Sequence, residues 1–174
     1  MNIILKNQIW TIDNFLSKEE CTKFISEINN KERVRPFTIS GKFKNDRFID
    51  DKLANSFYNK VKKEIDKPIL RANNLVMTGK YKPGNVFGLH TDTGLYFDLS
   101  KGEKSNYTLL IYLNDNFKGG RTIFYDNCFQ KIVEIKPKKG MALLFDINLW
   151  HKAEEIYEGE KYWIGCEIIS KMYM

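Results

Sequence analysis

The chain has 174 residues, enough for one domain with a core of its own. Hydrophobic residues make up 43% and charged residues 29%, which excludes a disordered chain, and no apolar run reaches the length of a membrane-spanning helix. The net charge of +6 is mostly scattered lysine, so a solvated surface explains it better than a patch built for nucleic acid or another anionic partner.

The opening, MNIILKNQIWTIDNF, has neither a basic start nor a small-residue cleavage site, so no signal peptide is expected. SKEECTKFISEINNK follows, with Ser17 and Glu20 at capping-box spacing and Cys21, Phe24, Ile25 and Ile28 on one helical face. A second helix is predicted over 51–66, where Leu53, Phe57, Val61 and Ile65 recur every four residues and Pro68 prevents much continuation. Cys21, Cys128 and Cys166 lie far apart with no zinc spacing, which points to a reduced, cytoplasmic or otherwise intracellular protein.

From Leu75 onward the texture changes to short β-rich runs separated by turns: NLVMTGKY, YTLLIYL, RTIFYD, KIVEI, MALLFDI and KYWIGCEIIS. Helices first and then many strands, without β-α-β alternation, predict an α+β fold. The expected architecture is a double-stranded β-helix (jelly-roll) barrel with N-terminal supporting helices. It is expected to form a single domain over 1–174, with 1–70 as helical support and 71–174 as the jelly-roll core.

The chain contains two histidines, and one of them, His90 in FGLHTDTG, stands two residues before Asp92. On a strand, that spacing sends both side chains to the same face. The other histidine, His151 in LWHKA, follows the apolar run MALLF, which is suited to bring it back beside the pair. Two imidazoles and one carboxylate, with open positions left over, are the facial triad of non-haem Fe(II) oxygenases. Lys161 opens the apolar strand KYWIGCEII. It is either an exposed strand-start lysine or a buried cation, and a buried cation needs an anion such as a dicarboxylate.

These stretches together resemble the 2-oxoglutarate- and Fe(II)-dependent dioxygenases of the prolyl 4-hydroxylase-like group. TIDNFLSKEECTKFI is similar to the family's opening strand and helix, and KYKPGNVFGLHTD to the stretch carrying its cosubstrate tyrosine and first two ligands. YTLLIYLNDNFKGGRTIFY resembles the central hairpin with its Tyr-Leu-Asn and Gly-Gly-x-Thr-x-Phe signatures, and KPKKGMALLFD, His151 and Lys161 resemble the closing half.

The resemblance implies that His90, Asp92 and His151 are the metal ligands and the catalytic centre. It implies that Lys161 pairs with the remote carboxylate of 2-oxoglutarate, with Tyr81, Tyr112, Leu110, Thr122 and Trp163 in the cosubstrate pocket. Gly119 and Gly120 are assigned to the turn. Fe(II), 2-oxoglutarate and O2 are the implied cofactors, and ascorbate is left open as a further one.

The sequence departs from the family at KSNYT, where many members carry an arginine, and at Arg121 inside the Gly-Gly-x-Thr motif. Both departures are expected nearer a peptide site than the metal. The implied function is hydroxylation of a protein or peptide side chain, with proline as the target by analogy. The alternatives are an AlkB-type oxidative dealkylase of nucleic acid and a jelly-roll module that binds metal without catalysis. No membrane partner is expected, and residues 93–107 are a candidate gating loop with Tyr96 and Phe97 as contact surface.

Overall fold

The computed structural model describes residues 1–30 and 44–172. In chain order its elements begin with β1 (Asn2–Leu5), β2 (Ile9–Ile12), α1 (Lys18–Asn30), β3 (Lys44–Ile49) and α2 (Asp51–Glu64). They continue with β4 (Ile69–Ala72), β5 (Leu75–Tyr81), β6 (Phe87–His90), β7 (Phe97–Asp98) and β8 (Glu103–Tyr112). The last group is β9 (Lys118–Gly119), β10 (Thr122–Tyr125), β11 (Lys131–Ile135), β12 (Ala142–Asp146), β13 (Trp150–Ala153), β14 (Ile156–Glu158) and β15 (Lys161–Lys171).

Both predicted helices form, for the reasons the sequence gives. Ser17 and Glu20 close a reciprocal capping box: the Ser17 N–H donates to the Glu20 carboxylate at 2.7 Å, and the Glu20 N–H donates to Ser17 Oγ at 3.1 Å. Asp50 caps α2 by accepting from the Leu53 N–H at 2.9 Å. The last residue of the first predicted segment, Lys31, lies outside the described residues.

A nine-stranded antiparallel sheet runs in the order β1-β2-β12-β8-β15-β5-β3, with β4 added on β15 and β7 on β8. Facing it is a four-stranded sheet, β11-β10-β13-β6, and β14 pairs β9 in a small ribbon. This is the double-stranded β-helix that the sequence predicts. Residues 1–70 are more than helical support, because β1, β2 and β3 lie within them and β4 begins there. IWTI is buried at all four positions, so it shows no period-two alternation, and KNDRFI is a polar edge strand. Neither gives the pattern by which a half-buried strand is read.

Alternation along the central strands sorts the core into two layers. Leu109 and Ile111 of β8, Leu144 of β12, and Ile164, Cys166 and Ile168 of β15 pack with Phe57 and Val61 of α2. The residues between them turn the other way: Tyr112, Leu143 and Phe145 join Phe124 and Ile135 of the smaller sheet. The second layer forms one end of the barrel interior, and the candidate site continues from it. All three cysteines are free, Cys21 and Cys166 buried and Cys128 exposed. Among the described residues no helix is long and apolar enough to cross a membrane.

Candidate active site

His90 ends β6, and His151 lies on β13, directly opposite it in the antiparallel register. His151 therefore occupies a strand of its own after a turn in which the Leu149 N–H donates to Asp146 O at 3.1 Å. Asp92 sits just past β6, fixed by its own N–H donating to Ile147 O at 2.9 Å.

The three side chains converge. Asp92 Oδ1 is 3.6 Å from His90 Nε2 and 3.9 Å from His151 Nε2, and one ligand atom from each residue lies within 4.8 Å of the others. Each imidazole uses its Nδ1 on a backbone carbonyl, His90 on Gly88 O at 2.7 Å and His151 on Leu149 O at 2.9 Å. That bond places the proton on Nδ1 and leaves the Nε2 lone pair facing its neighbours, as a metal requires. Asp92 Oδ2 accepts from the Thr108 hydroxyl at 2.5 Å, so Oδ1 is the oxygen left for the cluster.

The electrostatics agree with this donor set. Burial holds the His151 imidazole below its usual pKa, with His90 adding to the effect, which keeps the ring neutral. Burial alone would raise the Asp92 carboxyl, but the His90 and His151 rings beside it and the bond from the Thr108 hydroxyl bring it below the usual range, so it is ionised. Phe145, edge-on to His151 at 4.8 Å, and Phe87, 3.9 Å from the His90 ring, cover the imidazoles on their other sides.

The cluster opens into a cavity of about 420 Å³. Lys161, the first residue of β15, reaches into it with 2% of its surface exposed. Its Nζ donates to Gly120 O at 2.6 Å and lies 5.1 Å from the centre of the Tyr112 ring and 5.7 Å from that of Tyr81. Among the described residues no carboxylate pairs with this ammonium, and burial pulls its pKa down to about 7. A buried cation with only a carbonyl and two ring faces is an incomplete site for an anion.

Tyr81, Leu110, Thr122 and Trp163 line the same cavity. Tyr112 does not. It is fully buried beneath Lys161, and its hydroxyl is bonded to Thr122 Oγ1 at 2.7 Å. Gly119 and Gly120 both adopt left-handed backbone conformations, as a turn needs, and Gly120 also supplies the carbonyl that receives Lys161. Arg121 lies away from the cavity, in ion pairs with Glu134 at 3.3 Å and Glu154 at 3.9 Å, which its place beside the Gly-Gly turn does not reveal. Residues 97–104 form a paired hairpin. Sequence reading missed Thr108 and Glu167, although each falls on the cavity face by period two, from Leu110 and from Lys161 respectively.

The model of the 2OG-Fe(II) oxygenase superfamily matches residues 76–166, the stretch that carries the whole cluster and Lys161. The chain belongs to that superfamily. Fe(II), 2-oxoglutarate and O2 are the cofactors of this oxygenase family, and the donor set and the orphaned ammonium fit them. Prolyl 4-hydroxylase 2 of Arabidopsis thaliana is 29% identical over 127 residues, a match spanning 53% of this chain and 42% of that protein. Among solved structures, the viral collagen prolyl hydroxylase of Paramecium bursaria chlorella virus-1 superposes with a TM-score of 0.67 at 23% identity, covering 95% of this chain and 97% of that one. A Trichoplax adhaerens prolyl hydroxylase, solved with a hypoxia inducible factor peptide fragment, gives a TM-score of 0.67 at 19% identity over 97% of this chain and 86% of that one. At these identities the likeness to the solved structures is one of fold.

Proposed function

We propose that this oxygenase hydroxylates a side chain of a protein or peptide, with a prolyl ring as its first candidate target. The observation that carries the reading is the pairing, in one cavity, of the His90–Asp92–His151 cluster with the anion-less ammonium of Lys161. His90 Nε2, Asp92 Oδ1 and His151 Nε2 would hold Fe(II) from one side and leave the cavity side open. Bound Fe(II) and 2-oxoglutarate supply the oxidising power that places an oxygen atom from O2 into a C–H bond.

The chain's own residues then bind, orient and exclude water. Lys161 would neutralise the remote carboxylate of 2-oxoglutarate, keeping its bond to Gly120 O. Tyr81 stands beside Lys161 in the β5–β15 register and adds a hydroxyl to that end, while Thr122 presents the hydroxyl that Tyr112 orients from behind. Leu110 and Trp163 keep the space between the two ends dry. Thr108 holds Asp92 Oδ2, which favours coordination through the other oxygen alone.

The likeness to prolyl hydroxylases, one of them solved with a peptide fragment, supports a peptide substrate, and three free thiols support a reducing, intracellular setting. The test is succinate release from 2-oxoglutarate in the presence of peptide and oligonucleotide panels, with products weighed. A peptide that gains the mass of one oxygen atom supports the reading. Loss of an alkyl group from an oligonucleotide would replace it with nucleic-acid dealkylation, and metal binding with no response to 2-oxoglutarate would replace it with a non-catalytic module.

A further inference from the structure

Glu167 is a carboxylate with 4% of its surface exposed, on the cavity-facing side of β15, and none of the chemistry above requires it. Burying a carboxylate is costly without compensation, and among the described residues no lysine or arginine pairs with it. Neutral donors compensate it instead. The Leu95 N–H reaches both oxygens, at 3.0 and 2.8 Å, and the Ser105 hydroxyl bonds Oε2 at 2.5 Å.

Leu95 belongs to the turn that leaves the metal cluster. The Asp92 N–H is tied to Ile147 O, Gly94 reverses the chain at φ 64°, and the Leu95 N–H then lands on Glu167. Across the β8–β15 register Glu167 faces Thr108, whose hydroxyl holds Asp92. The turn is therefore gripped at both ends, by Ile147 and by Glu167. Beyond it, Leu95 lies on the cavity rim at 38% exposure and leads into the hairpin that exposes Phe97 and Leu99.

We propose that Glu167 is a positioning residue for the substrate: its carboxylate fixes the Thr93–Leu95 turn so that Leu95 stands as a preformed wall on the open side of the metal cluster. A carboxylate suits this role because two oxygens can accept the amide while one also accepts a hydroxyl. Alanine would leave the Leu95 N–H and Ser105 without their partner, and glutamine would turn an NH2 toward one of the donors. The clamp stands on geometry alone, whereas its effect on substrate rests on the peptide-hydroxylase reading.

The experiment uses the full chain with Zn(II) for amide exchange, and with Fe(II) and 2-oxoglutarate for turnover of a peptide identified in the panel above. Glu167→Ala should speed exchange of the Leu95 amide at least tenfold while the Leu144 amide in β12 keeps its protection, and Glu167→Gln should give an intermediate rate. The peptide KM should rise at least tenfold in Glu167→Ala while kcat falls less than threefold. Should the alanine variant not fold, the glutamine variant decides both readouts. Unchanged Leu95 exchange overturns the clamp. Equal losses in kcat and in 1/KM reduce Glu167 to a general structural residue and overturn its positioning role. If the parent chain turns over no peptide, the peptide reading fails, and the Leu95 exchange rate still decides the clamp.

Discussion

Lys161 shows most directly how burial makes chemistry. At the surface a lysine is a solvated charge, but at 2% exposure its ammonium loses its hydration and gains one carbonyl in return. With its pKa near 7, the side chain is mostly neutral at pH 8 and mostly charged at pH 6 before an anion pairs with it. A dianion that pairs with it raises that pKa again. Binding of 2-oxoglutarate should therefore take up close to a proton at pH 8 and almost none at pH 6, measured calorimetrically in buffers of different ionisation enthalpy. Affinity should fall as pH rises above 7. Lys161→Ala should weaken 2-oxoglutarate by roughly 3–5 kcal/mol, as expected for a desolvated pair that loses one partner. An unchanged Kd in that variant would remove the lysine from the site. His90, Asp92 and His151 were readable as a set because the chain has two histidines and each sits beside a strand. The Lys161 position was ambiguous because a strand-initial lysine is equally compatible with either face. Gly120 was unreadable, since a carbonyl gains a role only when another strand delivers Lys161 to it, and period two puts Thr108 on the cavity face without showing that the loop after β6 brings Asp92 to its hydroxyl.

Strands deliver these groups by alternation. Along β15, Lys161, Trp163 and Glu167 face the cavity, while Tyr162, Ile164 and Cys166 face the helices. The neighbouring β5 provides the matching relief. Gly79 pairs with Trp163, and a Cβ added at Gly79 would overlap the indole Nε1. Gly79→Ala should displace Trp163 into the cavity, shift its fluorescence, and cost about 1–3 kcal/mol of stability by overpacking. Trp163→Ala in that background should recover part of the loss, and independent, additive effects would show that the two residues do not share the space. The helices were readable from period and caps, and so were the long strands from β-branched runs. The short strands were not. β2 is buried throughout and β3 is a polar edge, so pairing partners far along the chain define them rather than any pattern of their own.

The fold places His90 and His151 on the smaller sheet and Lys161 on the larger one, with Asp92 in the loop after β6, so the proposed site exists only when the two sheets close on each other. Ligands that bridge them should stabilise the fold by mass action. Zn(II) with 2-oxoglutarate should raise the melting temperature more than either alone, by an amount equivalent to about 2.7 kcal/mol at a hundredfold excess over Kd. Sequence alone conveyed the barrel and its helices but assigned the first seventy residues to support, because sheet membership is a long-range property. The central claim is that three side chains hold Fe(II) while Lys161 holds the far end of the same cosubstrate. Anaerobic titration of the Fe(II)-loaded chain with 2-oxoglutarate, followed by visible absorbance, tests it most directly. The account predicts a metal-to-ligand charge-transfer band that saturates in the parent chain, is lost in His151→Ala, and needs far more 2-oxoglutarate in Lys161→Ala. An iron-loaded parent chain that gives no band, or a band of equal midpoint in all three proteins, would contradict it.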